Sequence, residues 1–401
     1  MSPAEDAEQV VELTGRLIAA PSPNPPGDET AVADVLREAL AEAGLPAART
    51  IARDPARPNL ISTIDFGPGG RHLVLCGHMD TKPVGDAAWT VDPMRATVDG
   101  DRLYGLGSVD MKGALAAMLL AAARLAASPL SAGRLSLVFC ADEEDGAAFG
   151  ARHVAESGEL DADGIVIGEA AGIEADFDRL HLASRGIARA RVVARAAQGH
   201  SSLADELGGR NAGVDVARAV VALADGAAPA APASPNGIAG WDVTLNTGLA
   251  YHGGVGWGVL PESIAADCEV RLLPGMDRDE VIATLNERLA VAAGDGARLD
   301  LEWSEPPTDW LEGTLVDTDD PLARAARTAL ARCLGDATPP DSVFPGTTDS
   351  TWLAADGTPT LPAIGPGLLR QAHAADEWVG VTALRRSLDL YTEIATEYCP
   401  G

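Results

Sequence analysis

The sequence predicts an α/β protein of two domains, with a central sheet flanked by helices and an α+β unit inserted into that domain. Three observations carry this. Short runs rich in Val, Ile and Leu, at residues 73–76, 135–140 and 165–167, alternate with segments whose apolar residues recur at helical spacing, as buried strands between covering helices do. After about residue 182 the pattern shifts to longer strands, and it returns near residue 305. The length of 401 residues also exceeds what one hydrophobic core usually supports. Residues 1–182 and 305–401 are expected to form one domain and residues 183–304 the insertion.

In chain order, Ser2 with Glu5 makes a capping-box pattern, and Val10, Val11, Leu13, Leu17 and Ile18 follow at helical spacing. This helix stops before Pro21-Ser22-Pro23-Asn24-Pro25-Pro26-Gly27, after which Val32, Val35, Leu36 and Leu40 mark a second helix ending near Gly44. Strands are expected at about 59–66 and 72–77, a small-residue helix between Gly107 and Ser128 beginning at Met111, and a strand at about 134–141. A helix near 147–157 and a strand at about 164–168 follow. In the insertion, 187–196 and 264–272 read as strands, 211–224 and 279–293 as helices, and the Ala/Pro/Gly-rich stretch 226–240 as a loop. Its expected hinges are Ser184-Arg185-Gly186 and Pro306-Pro307. Then come a helix from 319 to 334, a loop through Phe344-Pro345-Gly346, a strand near 361–365 and a last helix from about 381 to 397.

Composition narrows the class. The formal charge is −29 with a pI near 4.4, so the field repels phosphate backbones and anionic membrane surfaces, and neither nucleic acid nor membrane is an expected partner. The five cysteines, Cys76, Cys140, Cys268, Cys333 and Cys399, show no C-x-x-C spacing and mostly lie in apolar runs, which fits reduced structural thiols in a cytoplasmic protein. The start lacks a basic then apolar leader pattern, and no apolar stretch approaches the ~20 residues that span a bilayer.

Polar islands sit at the ends of the apolar runs. His78 ends the run at 73–76, and Asp80 falls on the same side two residues on, where its carboxylate can accept the other ring N–H. A His–Asp hydrogen bond without a metal is the alternative. Asp110 stands between Gly105-Leu106-Gly107-Ser108 and the following helix, where a plain N-cap is the ordinary reading. Asp142, Glu143 and Glu144 follow a strand, and three adjacent carboxylates repel unless a cation or protons neutralise them or water solvates the turn. Glu169 ends the run at 165–167, and His373 lies in a polar turn before the last helix. Two imidazoles with four or more carboxylates at sheet edges suit Zn²⁺, with Mn²⁺ or Co²⁺ also compatible.

Taken in order, these islands resemble the M20 family of co-catalytic metallohydrolases. The matching stretches are Gly77-His78-Met79-Asp80, Gly105 through Gly113, Asp142-Glu143-Glu144, Ile167-Gly168-Glu169, Gly199-His200-Ser201-Ser202, and Ala372-His373 with Asp376-Glu377. The resemblance implies two Zn²⁺ ions, with Asp110 bridging, His78 and Glu169 completing one site, and Glu144 and His373 the other. It implies Glu143 as general base acting on a water shared by the metals, and Asp80 as the residue orienting His78. It implies a catalytic domain of residues 1–182 and 305–401, a lid that pairs two subunits in a homodimer through 183–304, and His200 reaching the partner's site. Arg271 and Asn246 resemble the family's lid residues near substrate, and Gly346-Thr347-Thr348-Asp349 and Gly365-Pro366-Gly367 its pocket loops.

Two departures bear on substrate. Thr351 stands where many relatives carry Arg, and Gly258 where they tend to carry Asn, with Trp352 and Trp257 beside them. The expected activity is cleavage of the amide bond of a small N-acyl amino acid. A metallo-exopeptidase acting on a dipeptide or C-terminal residue is the alternative, and a non-catalytic binding protein on the same scaffold the remote one. The latter would show a lost base or ligand, and none is missing.

Overall fold

The computed structural model describes residues 3–293, 296–335 and 338–400, so the Ser2 cap lies outside the described residues. The chain forms two compact units, one of residues 1–184, 314–344 and 348–401, the other of residues 185–313 and 345–347.

The first unit is built on a six-stranded sheet in the order Arg49–Ile51, Asn59–Gly67, Gly133–Cys140, His72–His78, Gly164–Ile167, Thr360–Leu361. His72–His78 runs parallel to both of its neighbours. In register, His78 lies opposite Cys140 and Cys76 opposite Ile167. The three parallel strands therefore end level, and the residues that follow them share one edge, the place where α/β sheets collect ligands. All seven residues of His72–His78 are buried, because helices cover both faces. On one face Val74, Cys76, Val138, Ile165 and Ile167 pack with Ala151, Val154 and Leu353. On the other lies the helix Gly113–Ala127, whose buried Ala114, Ala116, Ala117, Ala121 and Ala122 let it come close. Glycine is required where it crosses. A Cβ at Gly77 would meet Met111 Cε at 2.3 Å, and one at Gly168 would meet Met118 Cε at 2.4 Å; these glycines directly precede His78 and Glu169.

Several expectations shift. The small-residue helix starts at Gly113, because Asp110 (φ −128°, ψ 88°) and Met111 (φ −135°, ψ 35°) are not helical. The helix expected from 147 is Ala151–Ser157, since Asp142 and Ala147 have positive φ and hold the chain in tight turns first. The strand expected at 361–365 is two pieces, Thr360–Leu361 and Gly365–Leu368. Pro362 between them lacks an N–H, and the second piece pairs with Ala170–Gly172 instead. The last helix, Val381–Tyr398, is capped from a distance, with Asp101 Oδ1 accepting from Thr382 N at 2.9 Å and Thr382 Oγ1 at 2.8 Å.

The second unit is an antiparallel sheet in the order Thr244–Gly253, Ser263–Leu272, Gly186–Arg195, Arg298–Trp303, with Trp310–Leu311 also pairing with Gly186–Arg195. The helices Ala212–Asp225 and Arg278–Ala293 pack Val216, Leu223, Leu285 and Leu289 against Val192, Ala266 and Val270. The stretch 226–240 is a loop with one helical turn, Pro235–Gly237. The return crossing lies at Gly313, later than the expected Pro306-Pro307, because Trp310 and Leu311 still pair with Ala188 and Ile187. The strands Thr244–Gly253 and Arg298–Trp303 were not expected from sequence; the first is an edge strand broken by a register shift between Thr247 and Tyr251.

Candidate metal centre

The residues after the three parallel strands converge with Asp110 and His373. His78 is buried. Its Nδ1 lies 2.9 Å from the Asp80 carbonyl oxygen and 3.5 Å from Asp80 Oδ1. The backbone carbonyl is thus the closer partner of this nitrogen, not the carboxylate expected from sequence. That carboxylate instead accepts from Asn24 Nδ2 at 2.8 Å and from Glu143 N and Glu144 N at 3.1 Å each. Asp80 therefore fixes the acidic turn as well as touching the imidazole.

With Nδ1 engaged, His78 presents Nε2 to the cluster, 2.9 Å from Asp110 Oδ1 and 3.4 Å from Glu169 Oε1. His373 presents Nε2 to the other oxygen, 3.2 Å from Asp110 Oδ2, and lies 3.2 Å from Glu144 Oε1. One carboxylate thus lies between two imidazoles. Asp110 is no N-cap. Its turn is held by Glu377, whose buried carboxylate accepts from the backbone N–H of Gly107, Val109 and Asp110 at 2.9, 2.9 and 3.1 Å.

Among the described residues, two groups have ligand atoms close enough to share an ion: His78, Asp110 and Glu169, and Asp110, Glu144 and His373. The electrostatics agree with a cation-seeking site. Burial would lower the His78 pKa, but Asp110, Asp80 and Glu169 hold it well above the usual range. Hydrogen bonds to Asp110 and Glu144 push His373 up to about 10. Asp110, which burial alone would raise, is held well below the carboxylate range by the same two imidazoles. The carboxylates thus favour positive charge at this place, which a divalent ion would supply, and the N/O donor set suits such an ion. Glu143 belongs to neither group. Its carboxyl is pushed well above the usual range by burial, reinforced by Glu169, Asp349 and Glu144 and opposed by His78.

Asp142 is not a solvated member of the acidic turn. It is buried and accepts from Arg57 at 2.8 Å, Asn24 at 3.0 Å and Phe149 N at 3.1 Å, while Arg57 also pairs with buried Glu29 at 2.8 Å. Asn24, Glu29 and Arg57 escaped the sequence reading. Asn24 lay in a Pro-rich run read only as a helix stop, and nothing local distinguishes the other two. Asp349 is buried, and its Oδ1 has no hydrogen-bond partner among the described residues.

In the second unit, Asn246 Nδ2 and Arg271 Nε both donate to Glu269 Oε1, at 3.0 and 2.9 Å. Thr347 Oγ1 donates to the Arg185 carbonyl at 2.9 Å, and Gly346 O accepts from Arg185 N at 3.1 Å. His200 is exposed on a two-stranded ribbon, Gly199–His200 with Val259–Leu260, and its Nδ1 is 2.9 Å from Ser202 Oγ. Trp257, just before that ribbon's second strand, is fully exposed. Trp352, in the first unit, lies under the Arg152 guanidinium at 5.4 Å.

Residues 74–397 match the pattern of peptidase family M20/M25/M40. A succinyl-diaminopimelate desuccinylase of Stenotrophomonas maltophilia (strain R551-3) is 32% identical over 394 residues, covering 96% of this chain and 98% of that protein. One of Xylella fastidiosa (strain M23) is also 32% identical, over 95% of this chain and 96% of its own. Among solved structures, an M20 family metallo-carboxypeptidase from Sulfolobus solfataricus superposes with a TM-score of 0.75 at 19% identity, covering 99% of each chain. A dinuclear metal binding peptidase from Bacillus subtilis gives 0.69 at 16%, covering 98% of each. By its sequence and its fold, this chain belongs to peptidase family M20/M25/M40 and is an amide-bond hydrolase.

Proposed function

We propose that the chain removes the acyl group from a small N-acyl amino acid, with two Zn²⁺ ions held by His78, Asp110 and Glu169 and by Asp110, Glu144 and His373. The observation that carries this is the Asp110 carboxylate, each of whose oxygens faces one imidazole. The curated relatives, similar over nearly their whole length, are named desuccinylases, which favours a deacylase over an exopeptidase. When bound, the ions would polarise the scissile carbonyl and lower the pKa of a nearby water. Glu143 takes a proton from the attacking water and returns it to the leaving amine. Asp80 keeps the turn of Glu143 and Glu144 in place and His78 in orientation.

In the same reading, His200 serves the site of a partner subunit and stabilises charge on the carbonyl oxygen. Arg271, Asn246, Gly346 and Thr347 bind the substrate, Arg271 through a carboxylate. The inserted unit, residues 185–313, forms the dimer contact, residues 1–184 and 314–401 supply the catalytic domain apart from 345–347, and the cytoplasm is the setting. Among the described residues no helix is long and apolar enough to cross a membrane, and all five cysteines are free.

The test is Glu143→Ala. Metal content by mass spectrometry should stay at the unaltered level while turnover of N-acetyl- and N-succinyl-amino acids falls at least about 100-fold, the size of a general-base contribution. A variant that keeps its turnover refutes the role of Glu143.

A further inference from the structure

Lys82 carries an inference that rests on the deacylase reading above and narrows its substrate. Lys and Arg together number 30, yet Lys stands only at positions 82 and 112. Lys112 is buried and donates to the Ala20 carbonyl at 2.8 Å. Lys82 is partly exposed, on the wall of a cavity whose lining includes Val84, Trp89, Asp110, Glu144 and His373. Among the described residues lining that cavity, Lys82 is the only Lys or Arg.

Its ammonium donates to the Glu144 carbonyl and lies 3.3 Å from Glu144 Oε2. An ammonium has three N–H donors, so Glu144 leaves one to spare. The other ionisable groups on the wall are Asp110, Glu144, Glu377 and His373. Asp110, Glu144 and His373 would be taken up by the proposed ions, and Glu377 accepts three backbone N–H groups, so Lys82 is the side-chain cation on this wall with a donor left for an anionic substrate arm.

We propose that Lys82 is a specificity residue, binding a carboxylate on the arm of the substrate that enters this cavity. The experiment uses the full-length, Zn²⁺-loaded protein with three amides. N-succinyl-L-alaninamide carries a carboxylate on the acyl arm, N-acetyl-L-alanine on the amine arm, and N-acetyl-L-alaninamide on neither. Lys82→Met should raise KM about 10- to 100-fold for at least one carboxylate substrate, the size of one charge-assisted hydrogen bond. Its kcat on that substrate, its metal content and its kcat/KM on the neutral amide should hold, and Lys82→Arg should retain most of the preference.

An equal loss on all three amides, or a loss of metal, would mean that Lys82 only positions Glu144, and would overturn the proposal. So would unchanged KM values on both carboxylate substrates. If the unaltered, metal-loaded protein cleaves none of the three, the deacylase reading fails and this inference falls with it. If it cleaves them and Lys82→Met does not discriminate, this inference fails alone.

Discussion

Asp110 reaches both imidazoles because its backbone leaves the helical region and Glu377 accepts the N–H groups of the turn that carries it. Burial pushes the Glu377 carboxyl up to about 8, with Asp110 adding and the three N–H donors opposing. Glu377→Ala orphans those donors in a buried place and should cost at least about 3 kcal/mol, at about 1–3 kcal/mol per unsatisfied group. Urea unfolding of the metal-free protein measures it, and an unchanged midpoint refutes the anchoring role. Arg57→Met leaves Glu29 and Asp142 buried without their cation and should cost about 3–5 kcal/mol in the same measurement. Here the sequence was partly legible. His78, Asp110, Glu144, Glu169 and His373 each border an apolar run or a glycine turn, so their types and places stand out. Arg57 meets Asp142 across 85 positions, and no local pattern announces such a contact.

Strands buried on both faces, such as His72–His78 and Gly133–Cys140, read clearly because each holds an unbroken apolar run, residues 73–76 and 137–140. Leu180–Ser184 escaped notice, although it is also fully buried, because His181 and Ser184 interrupt its apolar run. His181 is satisfied within the fold, with Nε2 2.8 Å from the Ala171 carbonyl and Nδ1 2.9 Å from Ser342 Oγ. Burial pushes its pKa down to about 4, against about 6.5 in an unfolded chain. Between those values the unfolded chain binds more protons, so this group makes stability fall as pH drops from about 6.5 towards 4. The full effect is on the order of 3 kcal/mol. The stability difference between the unaltered protein and His181→Gln should therefore shrink as pH is lowered from 7 to 4.5; a difference independent of pH contradicts this. The last helix depends on Asp101, remote in sequence, and Asp101→Ala should cost about 1 kcal/mol, as loss of a cap does. Thermal unfolding of that variant checks it.

At the scale of the molecule, the alternation of apolar runs and helical spacing predicts an inserted unit from 183, and the chain forms two compact units, the second beginning at Arg185. The far crossing was misplaced because a Pro-Pro pair looks like a boundary, whereas the pairing of Trp310–Leu311 with Gly186–Arg195 is invisible locally. In the second unit, Leu249 and Tyr251 on the edge strand are 58% and 56% exposed, and Val221 on the nearby helix 57%. Exposed apolar side chains along an unpaired edge fit the proposed dimer contact. Light scattering should show a dimer, and Leu249→Lys with Tyr251→Lys should shift it to monomer; a mass unaffected by both changes places the contact elsewhere. In the proposed arrangement both ions share the Asp110 carboxylate. Anomalous diffraction at the zinc edge, on crystals grown with Zn²⁺, should give two peaks flanking Asp110, one beside His78 and Glu169 and the other beside Glu144 and His373. A single peak, or none touching Asp110, would contradict it.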